Sequence, residues 1–317
     1  MTASRVLTLT MNPTVDVSMS VAALLPENKS RAVVQGVVGG GGGLNVSRCL
    51  RRLGERSLAL YTRGGYTGAR LQALLDAEGF EHVAVWVAQE TREAILLADE
   101  ASGLTHHIVP DGPRLTDDEV TRALADLGRL SVGRDYVVLT GSLPPGVGQD
   151  FWVEAVRAVK RCGAKAILDV AGPSLPAVVA EGAFLVRLDR TEGARLLGRP
   201  VVEFDDALAA AQVVLDSGPT EYAVATIGPR GTTIAHAQQR SIIHPPPLPA
   251  PFVSDACGGD SLMAATTYRL LRGDDVVTAL AYGVAAAAAT VTHPGAGIFT
   301  ADEVEALAPL VRVERLS

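Results

Sequence analysis

Lysine is nearly absent from this 317-residue chain: Lys29, Lys160 and Lys165 are all it has, and arginine carries the rest of the positive charge. Arginine's planar fork suits bidentate contact with phosphate better than lysine's point charge does. No basic run occurs and the net charge is −7, which together argue against extended binding to nucleic acid and keep any cationic chemistry local. Cysteine is scarce too. Cys49, Cys162 and Cys257 form an odd set without metal-like spacing, so reduced thiols in a cytoplasmic protein are expected rather than a disulfide framework. The six histidines show no ligand spacing, and the adjacent His106 and His107 would point to opposite faces of a strand, so histidine is assigned no metal.

Other absences narrow the class. No Gly-x-x-x-x-Gly-Lys-Ser/Thr occurs, which disfavours a P-loop nucleotidase, and no Gly-x-Gly-x-x-Gly follows the first strand, which removes the warrant for a dinucleotide site. Residues 1–10 read as a strand and lack the charged start, long apolar stretch and cleavage site of a secretory signal. Residues 276–292 are uncharged, but their alanine content and short length predict a buried helix and no membrane partner.

What is present is an α/β pattern. With 48% hydrophobic residues the chain can bury a large core, and residues 1–317 read as one large domain. Apolar runs followed by helical periodicity recur at 136–140 and 149–161, 166–169 and 175–179, and 184–186 and 191–197, predicting a parallel sheet. A helix over 204–217, a strand over 222–226 and a hairpin of 231–235 with 240–244 continue the pattern. Residues 16–20 with 31–38, and 91–97 with 104–109, alternate instead. They predict a small separate sheet from two excursions, about 16–38 and 91–110, able to close over a site as a lid or to pair with a second subunit.

Two glycine clusters carry the chemistry. Ala256-Cys257-Gly258-Gly259-Asp260-Ser261 opens a helix predicted to run to about residue 272. Glycine lets backbone N–H groups converge on an anion, and the helix N-terminus adds positive potential. A carboxylate beside bound phosphate is repelled unless it takes a proton from an attacking hydroxyl, which makes Asp260 a candidate base; the alternative is a helix cap. The second cluster, residues 39–43, is five consecutive glycines running into a helix that ends near Gly54. A backbone stripped of side chains there admits a close ligand, and Asn45 offers a donor and an acceptor to a polyol; a flexible linker is the alternative.

Together these segments resemble the PfkB (ribokinase-like) family of carbohydrate kinases over nearly the whole chain. Residues 8–16 are similar to that family's opening strand and substrate aspartate, and GGGGLNVSRCLRRLG (40–54) to its first signature. Thr140-Gly141-Ser142-Leu143-Pro144-Pro145-Gly146, Ile167-Leu168-Asp169, the stretch 225–231, the Asp260 loop and His293-Pro294-Gly295-Ala296-Gly297 follow in the family's order. The GSLPPG segment and the first strand look like the phosphosugar kinase branch. The resemblance implies a ribokinase-like three-layer α/β/α sandwich with a mostly parallel central sheet and a small β-sheet lid.

It also implies an ATP-dependent kinase acting on the primary hydroxyl of a phosphorylated ketohexose, most like fructose 6-phosphate. Fructose 1-phosphate, tagatose 6-phosphate, an unphosphorylated sugar or a nucleoside are the alternatives. By resemblance Asp260 is the base, and Cys257, Gly258 and Gly259 form the anion hole. Asp16, Gly41, Gly42, Gly43 and Asn45 hold sugar hydroxyls, and Lys29, Arg31, Arg92 and Ser142 hold the existing phosphate. Arg187, Thr226, Gly228 and Gly231 face ATP, and Asp189 with Glu192 holds Mg²⁺ through water, a role compatible with a capping box. Partners are then the sugar phosphate, ATP and a second copy meeting through the lid. Three departures stand out: Cys257 replaces a usual glycine, Asp255 a usual threonine, and Arg187-Leu188-Asp189 the usual Lys-Pro-Asn. The first two weaken phosphate stabilisation and motivate a further alternative, a binding protein without catalysis.

Overall fold

The computed structural model describes residues 4–237, 239–294 and 297–316. In chain order its strands and helices are β1 (Val6–Thr10), β2 (Thr14–Val21), β3 (Ala32–Gly40), α1 (Gly42–Arg52), β4 (Ser57–Arg63), α2 (Gly65–Glu78), β5 (Glu81–Trp86), β6 (Arg92–Asp99), β7 (Leu104–Ile108) and α3 (Asp117–Ser131). There follow β8 (Tyr136–Gly141), α4 (Phe151–Arg161), β9 (Lys165–Val170), α5 (Leu175–Glu181), β10 (Leu185–Leu188), α6 (Arg190–Leu197), α7 (Phe204–Ser217) and β11 (Tyr222–Thr226). The last are β12 (Thr232–His236), β13 (Gln239–His244), α8 (Gly258–Leu270), α9 (Val276–Thr290), α10 (Ala301–Leu307) and β14 (Arg312–Leu316).

Ten strands form one sheet in the order β14-β13-β12-β11-β10-β9-β8-β1-β4-β5. From β5 to β11 neighbours run parallel, and β12, β13 and β14 are added antiparallel at one edge. All five residues of β1 are buried because both faces are covered: Leu7 and Leu9 pack with α3, α4, α5 and α7, and Val6 with α1, α8, α9 and α10. Its two threonines are buried with the rest, and each hydroxyl is bonded into α1: Thr8 Oγ1 with Ser47 Oγ at 2.9 Å, and Thr10 Oγ1 accepting from the Leu44 N–H at 3.0 Å. The result is helix, sheet and helix in three layers.

The second sheet has the order β3-β2-β6-β7 and consists of the four strands expected from the two excursions. Val15 and Val17 turn one of its faces onto Leu71 and Leu75 of α2 and Tyr61 of β4, so the intervening Asp16 faces the other way. The residues read as an uncharged buried helix form α9, and among the described residues no helix is long and apolar enough to cross a membrane.

Several elements left no clear trace in the sequence pattern. β14 is Arg-Val-Glu-Arg-Leu, four of its residues exposed at the sheet edge, where charge is favoured and the apolar signal disappears. β4 and β5, on the opposite side of β1 from the regular β/α rhythm, together with α2 and α3, likewise leave no clear pattern.

Candidate active site

Strands β1, β8, β9, β10 and β11 end together at Thr10, Gly141, Val170, Leu188 and Thr226, and the N-termini of α1 and α8 meet above that edge. Open α/β sheets hold ligands there. Cys257 precedes α8 in the left-handed conformation, φ 59°, and no side chain caps the helix. Asp260 is therefore not a cap: it is the third residue of α8, and its carboxylate turns to α1 instead.

The anion hole is also redrawn. The Gly258 N–H donates to the Asp255 carbonyl at 3.3 Å, so it is committed to the turn. The N–H groups of Cys257, Gly259 and Asp260 have no acceptor among the described residues. Three amides converging at a helix start suit an anion. The Asp255 side chain is exposed, outside this cluster.

Asn45, in the first turns of α1, donates from Nδ2 to Asp260 Oδ2 at 2.9 Å and accepts from Arg48 Nη1 at 2.8 Å. Arg48, one helical turn on, pairs through Nε and Nη2 with Glu78 at 2.6 and 2.9 Å and also donates to the Gly39 carbonyl. A chain Glu78–Arg48–Asn45–Asp260 results, buried at Arg48 and Asn45 and half-buried at either end. Asn45 accordingly positions the carboxylate, and much of the capacity assigned to sugar hydroxyls is already engaged. Arg48 has a signal, a spacing of three from Asn45 inside the signature; Glu78, on a separate helix, has none.

Burial raises the Asp260 pKa from the ordinary carboxyl value to about 7; Asn45, Arg187 and Arg48 pull it down and Asp169 adds to the rise. The carboxyl is enclosed by protein yet retains partial solvent access, as at the floor of a cleft.

Arg187, on β10, lies under the anion loop rather than in an open groove. Its Nη1 donates to Asp169 Oδ1 at 2.8 Å and its Nη2 to Thr226 Oγ1 at 2.9 Å. A Cβ added at Gly259 would come 2.9 Å from Nη1, so the glycine lets the loop settle onto the guanidinium. Thr226 in turn donates to the Leu188 carbonyl, which leaves its hydroxyl committed within the protein. Gly228, at φ 62°, and Gly231, at φ 128°, shape the turn leaving β11 at the same edge.

Asp189 and Glu192 form a complete capping box on α6: Asp189 accepts from the Thr191 and Glu192 amides at 2.7 and 2.8 Å, and Glu192 accepts from the Asp189 amide at 2.7 Å. Burial, with the Asp169 and Asp189 charges adding, lifts Glu192 to about 7. No three His, Cys, Asp or Glu residues among those described cluster as a direct metal shell.

On the small sheet, Asp16 faces the cleft; burial raises its pKa, opposed by the Thr14 hydroxyl and by the charges of His107, Arg92 and Arg48. Arg92 donates from Nη1 to the Pro110 carbonyl and from Nη2 to the Asn12 carbonyl, both at 2.9 Å. Asn12 reaches Ser142 Oγ at 3.3 Å, which links the small sheet to the loop after β8. Lys29 and Arg31 are not brought to this group. They lie exposed between β2 and β3, beyond Val21, about 17 Å along the strand from Asp16.

The five glycines do not form one bare surface. Gly39 and Gly40 end β3, Gly41 caps α1 at φ 117°, and Gly42 and Gly43 begin α1. A Cβ on Gly40 would overlap the Asp16 carboxylate, and one on Gly43 the backbone of Leu9. These glycines allow close approach of protein to protein, fixing Asp16 beside the α1 N-terminus. In His293-Pro294-Gly295-Ala296-Gly297, residues 295 and 296 lie outside the described set.

Free amides beside a raised-pKa carboxyl, at the carboxyl edge of a parallel sheet and under a smaller sheet, define a group-transfer enzyme of the α/β class. The chain belongs to the pfkB family of carbohydrate kinases, whose family model matches residues 9–303. It is similar to ATP-dependent 6-phosphofructokinase isozyme 2 of Mycobacterium tuberculosis, 34% identical over 303 residues, 95% of this chain and 88% of that one. The crystal structure of phosphofructokinase-2 from Escherichia coli in complex with fructose-6-phosphate superposes with a TM-score of 0.88 at 29% identity, covering 97% of this chain and 99% of that one. Ribokinase of Arabidopsis thaliana shares the fold at a TM-score of 0.75 and 20% identity, with 97% and 99% covered. The expected ribokinase-like α/β fold and carbohydrate kinase activity are therefore established.

Proposed function

We propose that the protein transfers the γ-phosphoryl group of ATP to the primary hydroxyl of fructose 6-phosphate. The observation that carries the chemistry is Asp260, held by Asn45 at 2.9 Å beside the unpaired amides of Cys257, Gly259 and Asp260. Asp260 takes the hydroxyl proton as oxygen attacks phosphorus, and the amides hold the charge that moves during transfer. The choice of sugar is supported by the relatives named above. ATP lies toward the β11–β12 turn near Gly228 and Gly231, with Arg187 acting from beneath the loop.

Hard oxygen donors suit Mg²⁺, and burial, with the charges of Asp169 and Asp189 adding, keeps the Glu192 proton on to about 7, the repulsive part of which a cation would relieve. With no three-ligand cluster among the described residues, Asp189 and Glu192 would hold the ion through water, and it would supply neutralisation of phosphate charge.

The small sheet leaves Val33, Val34, Leu104 and Ile108 exposed, and a homodimer through that sheet would cover them. A second copy is also the simplest route by which Lys29 and Arg31 reach a substrate phosphate. Three free cysteines agree with a cytoplasmic location.

Steady-state assays on fructose 6-phosphate, fructose 1-phosphate, tagatose 6-phosphate, ribose and adenosine test the substrate. Fructose 6-phosphate is expected to give the highest kcat/KM; a higher value for any other overturns this assignment, and no ADP release with any sugar overturns catalysis.

A further inference from the structure

At the edge of the large sheet opposite the active site, the start of α9 and the last strands enclose a cavity of about 560 Å³, within the range of small-molecule sites. Tyr222, which lines it, begins β11, and the other end of that strand, Thr226, lies at the active-site edge, about 13 Å away. Opposite residues on paired strands share a face, and alternate residues along a strand share it too. Arg315 pairs with Ser241, Ser241 with Ile234 and Ile234 with Val224, which packs with α9, so all four stand on the α9 face. Tyr222, His236 and Gln239 each lie two residues from one of them and share that face. Arg240 alternates to the other face, where its guanidinium donates to Gln212 of α7 at 2.9 Å.

The sheet side of the cavity presents the Tyr222 ring with the His236 ring 4.9 Å from it, and the helix side presents Val276 and Val277. Aromatic and aliphatic walls of this kind accept a flat ring. The polar groups are mainly donors. Ser241 is only 5% exposed, and its hydroxyl has no partner among the described residues. His236 Nε2 and Gln239 Oε1 lie 3.1 Å apart, which leaves the Gln239 amide N–H groups without a partner among the described residues. The ion pairs of β14 run through Glu314 to His244 and Arg312 and leave Arg315 out. Asp275, which also lines the cavity, already accepts from the Val277 and Thr278 amides and from the Thr278 hydroxyl, and the Arg315 charge acts on it without a direct pair. A buried hydroxyl, an amide and a guanidinium so placed call for an acceptor-rich anion. Three strand spacings and two residue rises separate the Tyr222 and Arg315 backbones, about 16 Å, which two long side chains narrow to about the length of a ring, a sugar and a phosphate.

We propose that this cavity is a second small-molecule site and binds a nucleoside monophosphate, with the base against Tyr222, the sugar hydroxyls beside Ser241 and Gln239, and the phosphate on Arg315. No residue assigned to phosphoryl transfer contributes to it, and its occupancy does not depend on which sugar the enzyme phosphorylates.

Calorimetric titration of AMP, GMP, CMP and UMP, with adenosine and inorganic phosphate as the separate halves, is carried out on wild type, Arg315→Ala, Val277→Trp and Arg312→Ala. Saturating ATP keeps the catalytic cleft occupied, and melting temperatures are recorded. At least one nucleotide is expected to bind wild type at one site per chain, at least about tenfold tighter than either half. Arg315→Ala is expected to weaken that binding about tenfold, the loss of one charge-assisted contact, and Val277→Trp, which fills the slot, to abolish it. Arg312→Ala, at the other end of β14, is expected to match wild type, and kcat on fructose 6-phosphate to stay within about twofold in all three variants. No binding of any of the four nucleotides, equal binding in wild type, Arg315→Ala and Val277→Trp, or inorganic phosphate bound as tightly as the nucleotide overturns the proposal while the kinase reading stands.

Discussion

The Asn45 amide and the Asp260 carboxylate meet at 2.9 Å although 215 residues separate them in sequence, and this contact joins the two glycine-led helices at their N-terminal ends. A base held by a fixed neighbour keeps its aim as the substrate arrives, which is where positioning lowers a barrier. Asp260→Asn retains the shape and the contact but cannot accept the proton. Turnover is expected to fall at least about a thousandfold, at the upper end of what a general base supplies, with the melting temperature not lowered. Turnover within tenfold of wild type in a coupled ADP assay would show that the base lies elsewhere.

The pH dependence has opposite signs for rate and stability. Catalysis needs Asp260 ionised, so kcat/KM of the free enzyme is expected to rise through an apparent pKa of about 7 and level off above it. For stability, the folded value of about 7 lies above the ordinary 3.8, so the native state binds the extra proton between those values. Asp260 therefore costs nothing below about pH 4, and its contribution turns increasingly unfavourable up to about pH 7, where it reaches a few kcal/mol. Asp260→Asn is expected to be more stable than wild type at pH 8, with the gap closing at pH 5 in urea denaturation.

Arg48 is the hub behind the base. Removing Arg48 leaves the Asn45 Oδ1 and the Gly39 carbonyl without their donor, whereas Glu78, 30% exposed, can still be hydrated; Arg48→Met is therefore expected to destabilise by about 1–3 kcal/mol and to lower turnover through a misplaced Asn45. Glu78→Gln removes the counter-charge of the more buried Arg48 but keeps an acceptor and leaves the Arg48 bonds to Asn45 and Gly39 in place, so it is expected to cost less and to spare turnover. Equal stability losses for the two, measured by denaturant titration, would contradict this arrangement.

Cys257 occupies φ 59°, a conformation that glycine adopts without penalty. Cys257→Gly is expected to keep full turnover, since the loop needs the amide and not the thiol. Cys257→Val, β-branched at positive φ, is expected to lose about 1–3 kcal/mol and most of its activity. Similar kcat values for the two variants would mean that the loop geometry does not matter for transfer.

Gly40→Ala places a methyl group where the Asp16 carboxylate sits. Displacing that carboxylate is expected to raise the sugar-phosphate KM more than tenfold, at an unchanged KM for ATP. Both constants come from one pair of substrate titrations.

The legible parts of the sequence were local ones. The β/α rhythm from residue 136 onward, the hairpin before the proline-rich stretch and the alternation of the small sheet each depend on periodicity within a few residues, and each appears in the structure. Both glycine clusters were found, but their purpose was partly misread: Gly40 and Gly43 make room for Asp16 and Leu9 and do not present an open surface. Close approach between distant backbones has no local signature. The charged edge strand β14 went unread because an edge needs no apolar pattern.

By itself, the sequence determined the β/α rhythm from residue 136, the small sheet and the glycine-led start of α8 with its carboxylate, since helix starts, strand patterns and glycine-rich anion loops are written in neighbouring residues. Only the tertiary structure decided which groups remain free to act. It tied Gly258, Thr226 and much of Asn45 into the protein, left the Gly259 and Asp260 amides unpaired, and carried Lys29 and Arg31 to the far turn. The physical reason is that a hydrogen bond or a desolvated charge depends on what packing brings within about 3 Å, and those partners come from anywhere in the chain.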